Sequence, residues 1–237
     1  MLLRRLETAL WGEICWLVAA GPGQPALVVD PGLGAVDAVG RVCRDNDLTV
    51  AGVLASHGHV DHVADAARLA DQWRVPVWIH PAERDLLTDP TQGLDPAARA
   101  LVGDLMGVGD RVAEPHRVIE LADGQVLDLA GYAVTVLHAP GHRPGCVIFR
   151  VPIGDQTVAF TGDVLFAGTI GRTDLPGGSR AQMVASLRDV VLGAAGDGRL
   201  HLPLDTIVLP GHGPRTVMAV ERSTNPYLQA DFLEAPA

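Results

Sequence analysis

The chain has 237 residues, of which 48% are hydrophobic and 19% charged, a composition typical of a globular protein with an ample core. Its formal net charge is −10, from 28 acidic and 18 basic residues, and all of the basic ones are arginines. Because nucleic acid binding needs a concentrated basic surface, this charge argues against a nucleic acid partner. No stretch approaches the roughly 20 continuous apolar residues that a membrane span requires.

Two further features concern the cellular compartment. The N-terminal segment has an apolar patch, but Glu7 and Glu13 interrupt it, which is not the pattern of a signal peptide. We therefore expect a cytoplasmic protein without a membrane partner. Its cysteines, Cys15, Cys43 and Cys146, are far apart and form no Cys-x-x-Cys pair, which argues against a disulfide framework and against thiolate metal ligands.

Short apolar runs alternate with helical patterns in the first half of the chain. Strands are predicted over 13–18 and 26–29, and the second ends at the turn Asp30-Pro31-Gly32. The pattern continues with a helix over 36–46, a buried strand over 50–55, a helix over 63–73 and a strand over 75–79. Residues 81–114 are helix-prone and rich in loop signals.

Strand patterns dominate the second half of the chain. They cover 125–129, 132–137, 146–151 and 157–161, at the spacing of an antiparallel meander, before a helix over 180–192, a strand over 207–209 and a helix over 217–223. Two strand-rich halves with flanking helices indicate an α+β protein, in which two sheets pack together and helices cover them outside. No repeat or linker is visible, so residues 1–237 are predicted to form a single domain.

The most informative motif is His57-x-His59-x-Asp61-His62, directly after the apolar strand predicted over 50–55. Side chains two apart on an extended backbone point to one side, so His57 and His59 are expected to share a direction. Asp61 and His62 are expected at the start of the following helix, with side chains directed close to the position that His57 and His59 face. Imidazole and carboxylate groups without thiolates are typical ligands of zinc, iron or manganese, so the motif predicts a metal site.

Three more metal-capable side chains stand just after predicted strands. His142 follows a Pro-Gly turn, Asp163 follows a glycine, and His212 follows another Pro-Gly turn. Each of them alone is as typical of a turn residue as of a ligand. Together with the first motif they place possible ligands at four strand ends, which favours a metal centre over chance.

These residues, in this order, resemble the complete ligand set of the metallo-beta-lactamase superfamily, and the resemblance covers nearly the whole chain. It implies a four-layer αββα sandwich with two divalent metal ions at one edge of the sheets, zinc in the first place and iron or manganese as alternatives. It also implies the ligands of the first metal (His57, His59, His142), those of the second (Asp61, His62, His212) and a bridging residue (Asp163).

Two longer segments, 162–174 and 211–228, resemble the short bacterial type of glyoxalase II, which lacks the C-terminal helical domain of the long type. Such enzymes hydrolyse thioesters of hydroxyacids and glutathione, so the resemblance implies a metal-dependent hydrolase with a small-molecule thioester substrate. Two metals that share a water lower its pKa from about 15.7 toward ~7, which yields a bridging hydroxide as nucleophile. Asp61 and Asp163 are the predicted catalytic residues, Asp61 as the group that orients this nucleophile or relays its proton.

Arg172 and Arg143 are the candidate substrate-binding residues. Arg172 lies on a glycine-rich loop after Asp163, and its guanidinium can clamp a substrate carboxylate with two hydrogen bonds. The alternative for Arg172 is an internal pair with Asp174. Arg143 stands directly after the predicted ligand His142, where the family usually has threonine. Ser56 likewise stands directly before the predicted ligand His57, where the family usually has threonine. The other histidines, including His80, His116 and His138, are expected to be structural, and Cys146 to be a small core residue.

Other functions stay open. A persulfide dioxygenase of the same fold shares the Gly-Arg-Thr-Asp stretch and would hold one iron through His57, His142 and Asp163. Other hydrolases of the superfamily act on lactones, phosphoesters or lactams, although the negative charge disfavours a nuclease. A binding module without catalysis would have lost ligands, and none is missing here. The ending after His212 favours the thioester hydrolase. The oligomeric state and the thiol carrier are not predicted by any pattern.

Overall fold

Two six-stranded sheets organise the chain, one in each of the two units into which the computed structural model divides. The first unit comprises Met1–Leu121 and Leu129–Gly131, and the second comprises Ala122–Asp128 and Tyr132–Ala237. The structure describes residues 1–92, 94–107, 112–193 and 201–234. Within these ranges, no helix combines the length and the apolar character needed to cross a membrane.

The first sheet combines antiparallel and parallel pairing. Its strands, in spatial order, are β1 (Leu2–Glu7), β2 (Ile14–Ala19), β3 (Pro25–Val29), β4 (Thr49–Leu54), β5 (Val77–Ile79) and β6 (Val118–Glu120). The pairs β1/β2 and β2/β3 are antiparallel, whereas the pairs from β3 to β6 are parallel. The helices of this unit are α1 (Ala35–Asn46), α2 (Val60–Val63), α3 (Ala66–Trp73) and α4 (Pro96–Met106), and a 3-10 helix covers Pro81–Leu87.

Buried apolar strands form the centre of this sheet. All residues of β2 are buried, as are all but the first residue of β3, which is the near-continuous apolar pattern of strands covered on both faces. Val39 of α1 and Leu69 of α3 belong to the same hydrophobic cluster as Leu17 of β2 and Val53 of β4. This packing fixes the carboxyl end of β4, where the polar histidine-rich segment begins.

The second sheet brings three strand ends to one edge. Its strands, in spatial order, are β7 (Val126–Leu129), β8 (Tyr132–His138), β9 (Val147–Ile153), β10 (Gln156–Gly162), β11 (Ile207–Pro210) and β12 (Thr216–Val217). The pairs β8/β9 and β9/β10 are antiparallel and β10/β11 is parallel, so β8, β10 and β11 all run in the same direction. Their carboxyl ends therefore lie at a common edge.

Helices flank the second sheet as they do the first. They are α5 (Arg180–Ser186), which continues as a π-helical turn over Leu187–Val191, α6 (Met218–Thr224) and α7 (Ala230–Leu233), and a 3-10 helix covers Pro226–Leu228. Met183 and Leu187 are completely buried in the hydrophobic cluster that also contains Ile148 of β9 and Val208 of β11. The cluster anchors α5 and its π-helical turn to the strands that end near the candidate ligands.

The sequence predicted most elements but missed three of the four edge strands of the described sheets. The strands predicted over 125–161 are consecutive neighbours in the second sheet, as the meander spacing indicated. The helix predicted over 63–73 is present as α3, but it begins at Ala66 and not at residue 63, after a break where the amide of Asp65 donates to the carbonyl oxygen of Pro31 at 3.0 Å. β1, β6 and β12 were not predicted, and all three are edge strands.

Candidate metal centre

The histidine-rich motif begins just after β4 ends. His57 and His62 are completely buried, Asp61 is 6% exposed, and His59 is half-buried. Nε2 of His57 lies 3.1 Å from Nδ1 of His59, and Nε2 of His62 lies 3.7 Å from Oδ2 of Asp61. The ring centroids of His57 and His62 are 4.1 Å apart. The structure thus brings together the four predicted ligands of the first unit.

The buried carboxylate of Asp30 lies behind these histidines. Asp30 follows β3 in the left-handed backbone region, with φ of 53°, a conformation that aspartate adopts more readily than most residues. Its Oδ1 accepts a hydrogen bond from the amide of Ser56 at 2.6 Å, and its Oδ2 accepts one from Oγ of Ser56 at 2.7 Å. Nδ1 of His62 lies 3.1 Å from the same Oδ2. Because a carboxylate only accepts, Nδ1 carries the proton, and Nε2 keeps its lone pair for a metal.

Glu13 is a second buried carboxyl group in this region. Its Oε2 accepts a hydrogen bond from Oγ1 of Thr8 at 2.8 Å, and its Oε1 lies 3.9 Å from Nδ1 of His62. Burial raises the pKa of Glu13 well above its ordinary value, and the nearby imidazole of His62 opposes this shift only in part. Burial therefore favours the neutral form of Glu13.

The three predicted ligands of the second unit gather around one carboxylate oxygen. His142, Asp163 and His212 follow β8, β10 and β11 at the common edge of the sheet. Nε2 of His142 lies 3.5 Å from Oδ2 of Asp163, and Nε2 of His212 lies 3.7 Å from the same oxygen. His142 and Asp163 are buried, and His212 is half-buried. The structure thus brings together the three predicted ligands of the second unit.

The backbone around His142 is fixed by a close approach. A Cβ on Gly141 would lie 2.4 Å from Cα of Met183 in α5, so only glycine allows the turn to lie this close to the helix. Nδ1 of His142 donates a hydrogen bond to the carbonyl oxygen of Arg172 at 2.8 Å. As with His62, this hydrogen bond leaves Nε2 of His142 unprotonated and directed toward the site.

The turns that carry Asp163 and His212 are joined directly. The amide of Gly211 donates to the carbonyl oxygen of Gly162 at 2.9 Å, which ties the residue before each ligand to its counterpart. Phe166 lies on the loop after Asp163, and its ring contacts the imidazole of His212 edge-on, with centroids 5.8 Å apart. The position of His212 therefore depends on the loop that follows Asp163.

The spacing of the donor atoms fits divalent metal ions. A tetrahedral zinc site, with bonds of about 2.0–2.2 Å to nitrogen and oxygen, places neighbouring ligand atoms roughly 3.3–3.6 Å apart. The separations within the two groups are close to this range: 3.1 Å for the His57–His59 pair, 3.5 Å for His142–Asp163 and 3.7 Å for Asp163–His212. Nitrogen and oxygen donors of this kind suit zinc, iron and manganese alike.

Both candidate substrate-binding arginines form hydrogen bonds to other residues of the chain. Nε and Nη2 of Arg172 donate to the two carboxylate oxygens of Asp174, each at 2.7 Å, which is the internal pair that the sequence left open. The Arg172 guanidinium lowers the pKa of Asp174 to about 2. Nη1 of Arg143 donates to the carbonyl oxygen of Pro176. A substrate-binding role for either arginine stays a prediction.

Other histidines have structural contacts, as expected from the sequence. His80 accepts a backbone hydrogen bond at the start of a 3-10 helix, His116 lies 2.6 Å from a carboxylate oxygen of Asp71, and His138 donates to a backbone carbonyl oxygen at 2.9 Å. Cys146 is buried in a hydrophobic cluster. None of these contacts gathers several metal-binding side chains around one point.

Sequence reasoning missed the residues that hold the ligands in place. Asp30 was assigned only to a turn, although it follows a buried strand just as the ligands do, and this shared pattern could have identified it. Glu13 was assigned only to a strand. Glu221 and Asn225 were noted only as part of the family-like ending, and nothing in their spacing indicates that both are buried.

The family model of the metallo-beta-lactamase superfamily matches residues 11–212. The chain belongs to this superfamily. Its two mixed sheets with their helices form an α+β arrangement consistent with the αββα sandwich, which confirms the fold predicted from the sequence. Membership, together with clusters of histidine and aspartate donors that could hold a metal ion, indicates a metal-dependent hydrolase that binds divalent metal ions.

Individual proteins are similar to this chain over most of its length. An uncharacterised protein of Mycobacterium tuberculosis is 41% identical over 233 residues, which are 97% of this chain and 98% of that protein. Hydroxyacylglutathione hydrolase GloC of Haemophilus influenzae is 33% identical over 213 residues, 86% of this chain and 88% of that protein. The crystal structure of TTHA1623 in a di-iron-bound form is similar with a TM-score of 0.73 and 35% identity, covering 95% of this chain and all of that one.

Gly171 lies so close to two candidate ligands that any side chain would displace them. A Cβ there would lie 1.9 Å from the carbonyl oxygen of Asp163 and 3.1 Å from Nδ1 of His142. We expect Gly171→Ala to destabilise the protein by about 1–3 kcal/mol, the usual cost of overpacking, and to reduce the bound metal. Thermal unfolding and elemental analysis would measure both effects. Gly21→Ala is the control, because its Cβ meets no atom within 4 Å, and equal metal content in the two variants would contradict the prediction.

Proposed function

We propose that the protein hydrolyses thioesters of a hydroxyacid and a low-molecular-weight thiol, such as S-lactoylglutathione. The observation that carries this proposal is the 33% identity to hydroxyacylglutathione hydrolase GloC over 86% of the chain. The two groups of histidine and aspartate donors support it, because they provide the ligand chemistry that such a hydrolase needs. On this proposal the partner is a small molecule in the cytoplasm, and neither nucleic acid nor membrane is involved.

Two divalent metal ions, zinc in the first place, are the cofactors that this proposal requires. The first would be bound by His57, His59 and His142, the second by Asp61, His62 and His212, and both by Asp163. When bound, such a pair supplies a water of lowered pKa and a Lewis acid for the thioester carbonyl. The di-iron form of TTHA1623 makes iron the main alternative to zinc.

Residues of the chain would fix the ligand tautomers and orient the attacking water. The carboxylate of Asp30 and the carbonyl oxygen of Arg172 keep the proton of His62 and of His142 on Nδ1, so Nε2 of each ring stays available as a ligand. Asp61 is 6% exposed beside His62, and its carboxylate would orient the attacking water and accept its proton. The departing thiolate, with a pKa near ~8.5, leaves without a general acid.

The proposal is tested by two substrates and a metal count. Protein purified without air would be assayed in parallel with S-lactoylglutathione and with glutathione persulfide. Release of free thiol from the first substrate, without oxygen uptake and with about two metals per chain, is the expected result. Oxygen consumption with the persulfide and about one iron per chain would overturn it in favour of a dioxygenase. Turnover of only lactones or phosphoesters would overturn the substrate class.

Arg172→Ala is expected to raise KM for a carboxylate-bearing thioester and to leave kcat nearly unchanged. The 62% exposed side chain of Arg172 already presents two parallel N–H groups to a carboxylate, and a substrate carboxylate would replace that of Asp174. The loss of this charge-assisted contact corresponds to a rise in KM on the order of tenfold. Steady-state kinetics would measure it.

The matched control for Arg172 is Arg188. Its Nε and Nη2 make the same two contacts to Asp189, at 2.7 and 3.0 Å, on the π-helical turn after α5. Arg188→Ala should leave KM unchanged. If both variants keep the KM of the unaltered protein, Arg172 has only its internal role in the pair with Asp174.

A further inference from the structure

Two buried polar residues of the C-terminal segment contact both loops that follow ligands of the second unit. Glu221 of α6 is 2% exposed, and Asn225, directly after this helix, is completely buried. Neither residue belongs to the predicted ligand set. Buried polar side chains are retained only with several partners, so their contacts indicate what they hold in place.

The carboxylate of Glu221 joins the loop after Asp163 to the strand after His212. Its Oε2 accepts hydrogen bonds from the amide of Gly168 at 2.8 Å and from Nδ2 of Asn225 at 2.9 Å. Its Oε1 accepts a hydrogen bond from Oγ1 of Thr216 at 2.7 Å. Gly168 lies in the loop that follows Asp163, and Thr216 begins β12, the strand that follows His212. One side chain therefore sets the distance between the two segments.

Asn225 closes the same loop from the other side. Its Nδ2 donates to the carbonyl oxygen of Thr169 at 3.2 Å, and its Oδ1 accepts from the amide of Tyr227 at 3.0 Å. Phe166 and Thr169 form an isolated antiparallel bridge, so the loop between them is a closed hairpin. Its first residue, Phe166, supplies the ring that contacts the imidazole of His212.

Among the three predicted ligands of the second unit, His212 is the one for which such support matters most. Its side chain is 25% exposed, compared with 3% for His142 and 10% for Asp163. A less buried imidazole has more freedom to rotate about its side-chain torsions, so its Nε2 stays aimed at Asp163 only if a neighbour restricts the ring. The edge-on contact with Phe166 provides one such restriction, and the hydrogen bonds of Glu221 to Gly168 and of Asn225 to Thr169 hold the hairpin that begins at Phe166.

We propose that Glu221 is a positioning residue for the metal-binding group of the second unit, acting through Phe166 and β12 on the imidazole of His212. This inference rests on the metal centre of the proposed function. It predicts that a variant without the carboxylate loses affinity for the metal bound by His212 beyond what its loss of stability explains. A purely structural network would instead weaken the fold and leave the metal affinity unchanged in the folded protein.

Two substitutions of Glu221 separate these possibilities. Glu221→Ala removes all the acceptor oxygens. Glu221→Gln keeps one oxygen to accept from Gly168 and Asn225, and its amide nitrogen can donate to the rotated hydroxyl of Thr216, so each of the three partners keeps a hydrogen bond to this side chain. We expect Glu221→Ala to weaken binding of the second metal about 10- to 100-fold, as loss of a group behind a ligand does in other metalloproteins, and Glu221→Gln to restore it.

The experiment titrates the full-length metal-free chain with Co²⁺ and follows its visible absorption, alongside thermal unfolding of each variant. Leu187→Ala, which leaves a cavity in the hydrophobic cluster of the same unit, is the control for lost stability. The proposal is supported if Glu221→Ala loses the second Co²⁺ signal while Leu187→Ala and Glu221→Gln keep it. It is overturned if Glu221→Ala and Leu187→Ala bind Co²⁺ alike.

Two further outcomes are distinguished by the same titration. If Glu221→Ala does not fold, Thr216→Val takes its place, because it removes a single hydrogen bond to the carboxylate of Glu221. Thr216→Val should weaken the second Co²⁺ site by a smaller factor. Unchanged Co²⁺ binding in Thr216→Val would overturn the proposal. If the unaltered protein binds no Co²⁺, the proposed metal centre itself fails, whatever the variants do.

Discussion

Asp163→Ala is expected to abolish thioester hydrolysis and to remove at least one bound metal ion. Oδ2 of Asp163 lies 3.5 Å from Nε2 of His142 and 3.7 Å from Nε2 of His212, so the substitution takes away the carboxylate that both imidazoles of this group face. A group that merely stands behind a ligand contributes about 10- to 100-fold to metal affinity. Because Asp163 is proposed as a ligand itself, we expect its loss to exceed this range, both in metal affinity and in kcat/KM.

The prediction for Asp163 has a control on the same strand. Asp155 is exposed at the turn before β10, whereas Asp163 follows the other end of this strand. Asp155→Ala should keep the activity and the metal content of the unaltered protein. Both would be measured by thiol release and by elemental analysis after gel filtration. Full metal content in Asp163→Ala would remove this residue from the ligand set.

The candidate ligands could be predicted from the sequence because the segments that carry them follow strands: the histidine-rich motif comes shortly after β4, and His142, Asp163 and His212 come shortly after β8, β10 and β11. A buried strand has a recognisable apolar pattern, and the residue after it lies at the sheet edge whatever the sheet's neighbours are. For His142, Asp163 and His212 this rule gave the candidates, and the resemblance to the metallo-beta-lactamase superfamily gave their assignment as ligands. The common direction of β8, β10 and β11, which brings the three together, is seen only in the structure.

The parts that were missed depend on contacts between distant residues. β1 pairs on one side only, and its residues alternate irregularly between buried and exposed, so its pattern is not that of a central strand. The break between α2 and α3 follows from the bond of Asp65 to Pro31, which no helical periodicity reveals. Nor does the ending after His212 show that Glu221 is buried, because its partner Gly168 is 53 residues away.

Asp30 is the missed residue whose substitution should have the largest effect on stability. Asp30→Ala leaves the amide and hydroxyl of Ser56 and Nδ1 of His62 without their acceptor, all in a buried region. Leaving a buried donor without its acceptor costs about 1–3 kcal/mol. Three donors lose their acceptor here, so the loss is a large part of the roughly 5–15 kcal/mol that stabilises a typical domain. Urea unfolding of the metal-free protein would show this loss.

Asp71 provides the matched control, because its carboxylate also accepts from a backbone amide and faces a histidine Nδ1. Its partner is His116, at 3.0 and 2.6 Å, and these hydrogen bonds lower the pKa of Asp71. The pair is half exposed to solvent, so Asp71→Ala should cost less than about 1 kcal/mol. A loss in Asp71→Ala as large as that in Asp30→Ala would show that burial is not the cause.

Asp30→Asn distinguishes the role in the site from the role in the fold. The asparagine oxygen can still accept from the amide of Ser56, but its nitrogen then faces Nδ1 of His62 and requires an acceptor there. The imidazole would shift its proton to Nε2, the atom that the metal needs. We therefore expect Asp30→Asn to keep most of the stability that Asp30→Ala loses and still to bind the metal of His62 at least tenfold more weakly. Retained affinity in Asp30→Asn would mean that His62 needs no fixed tautomer, and that Asp30 serves the fold alone.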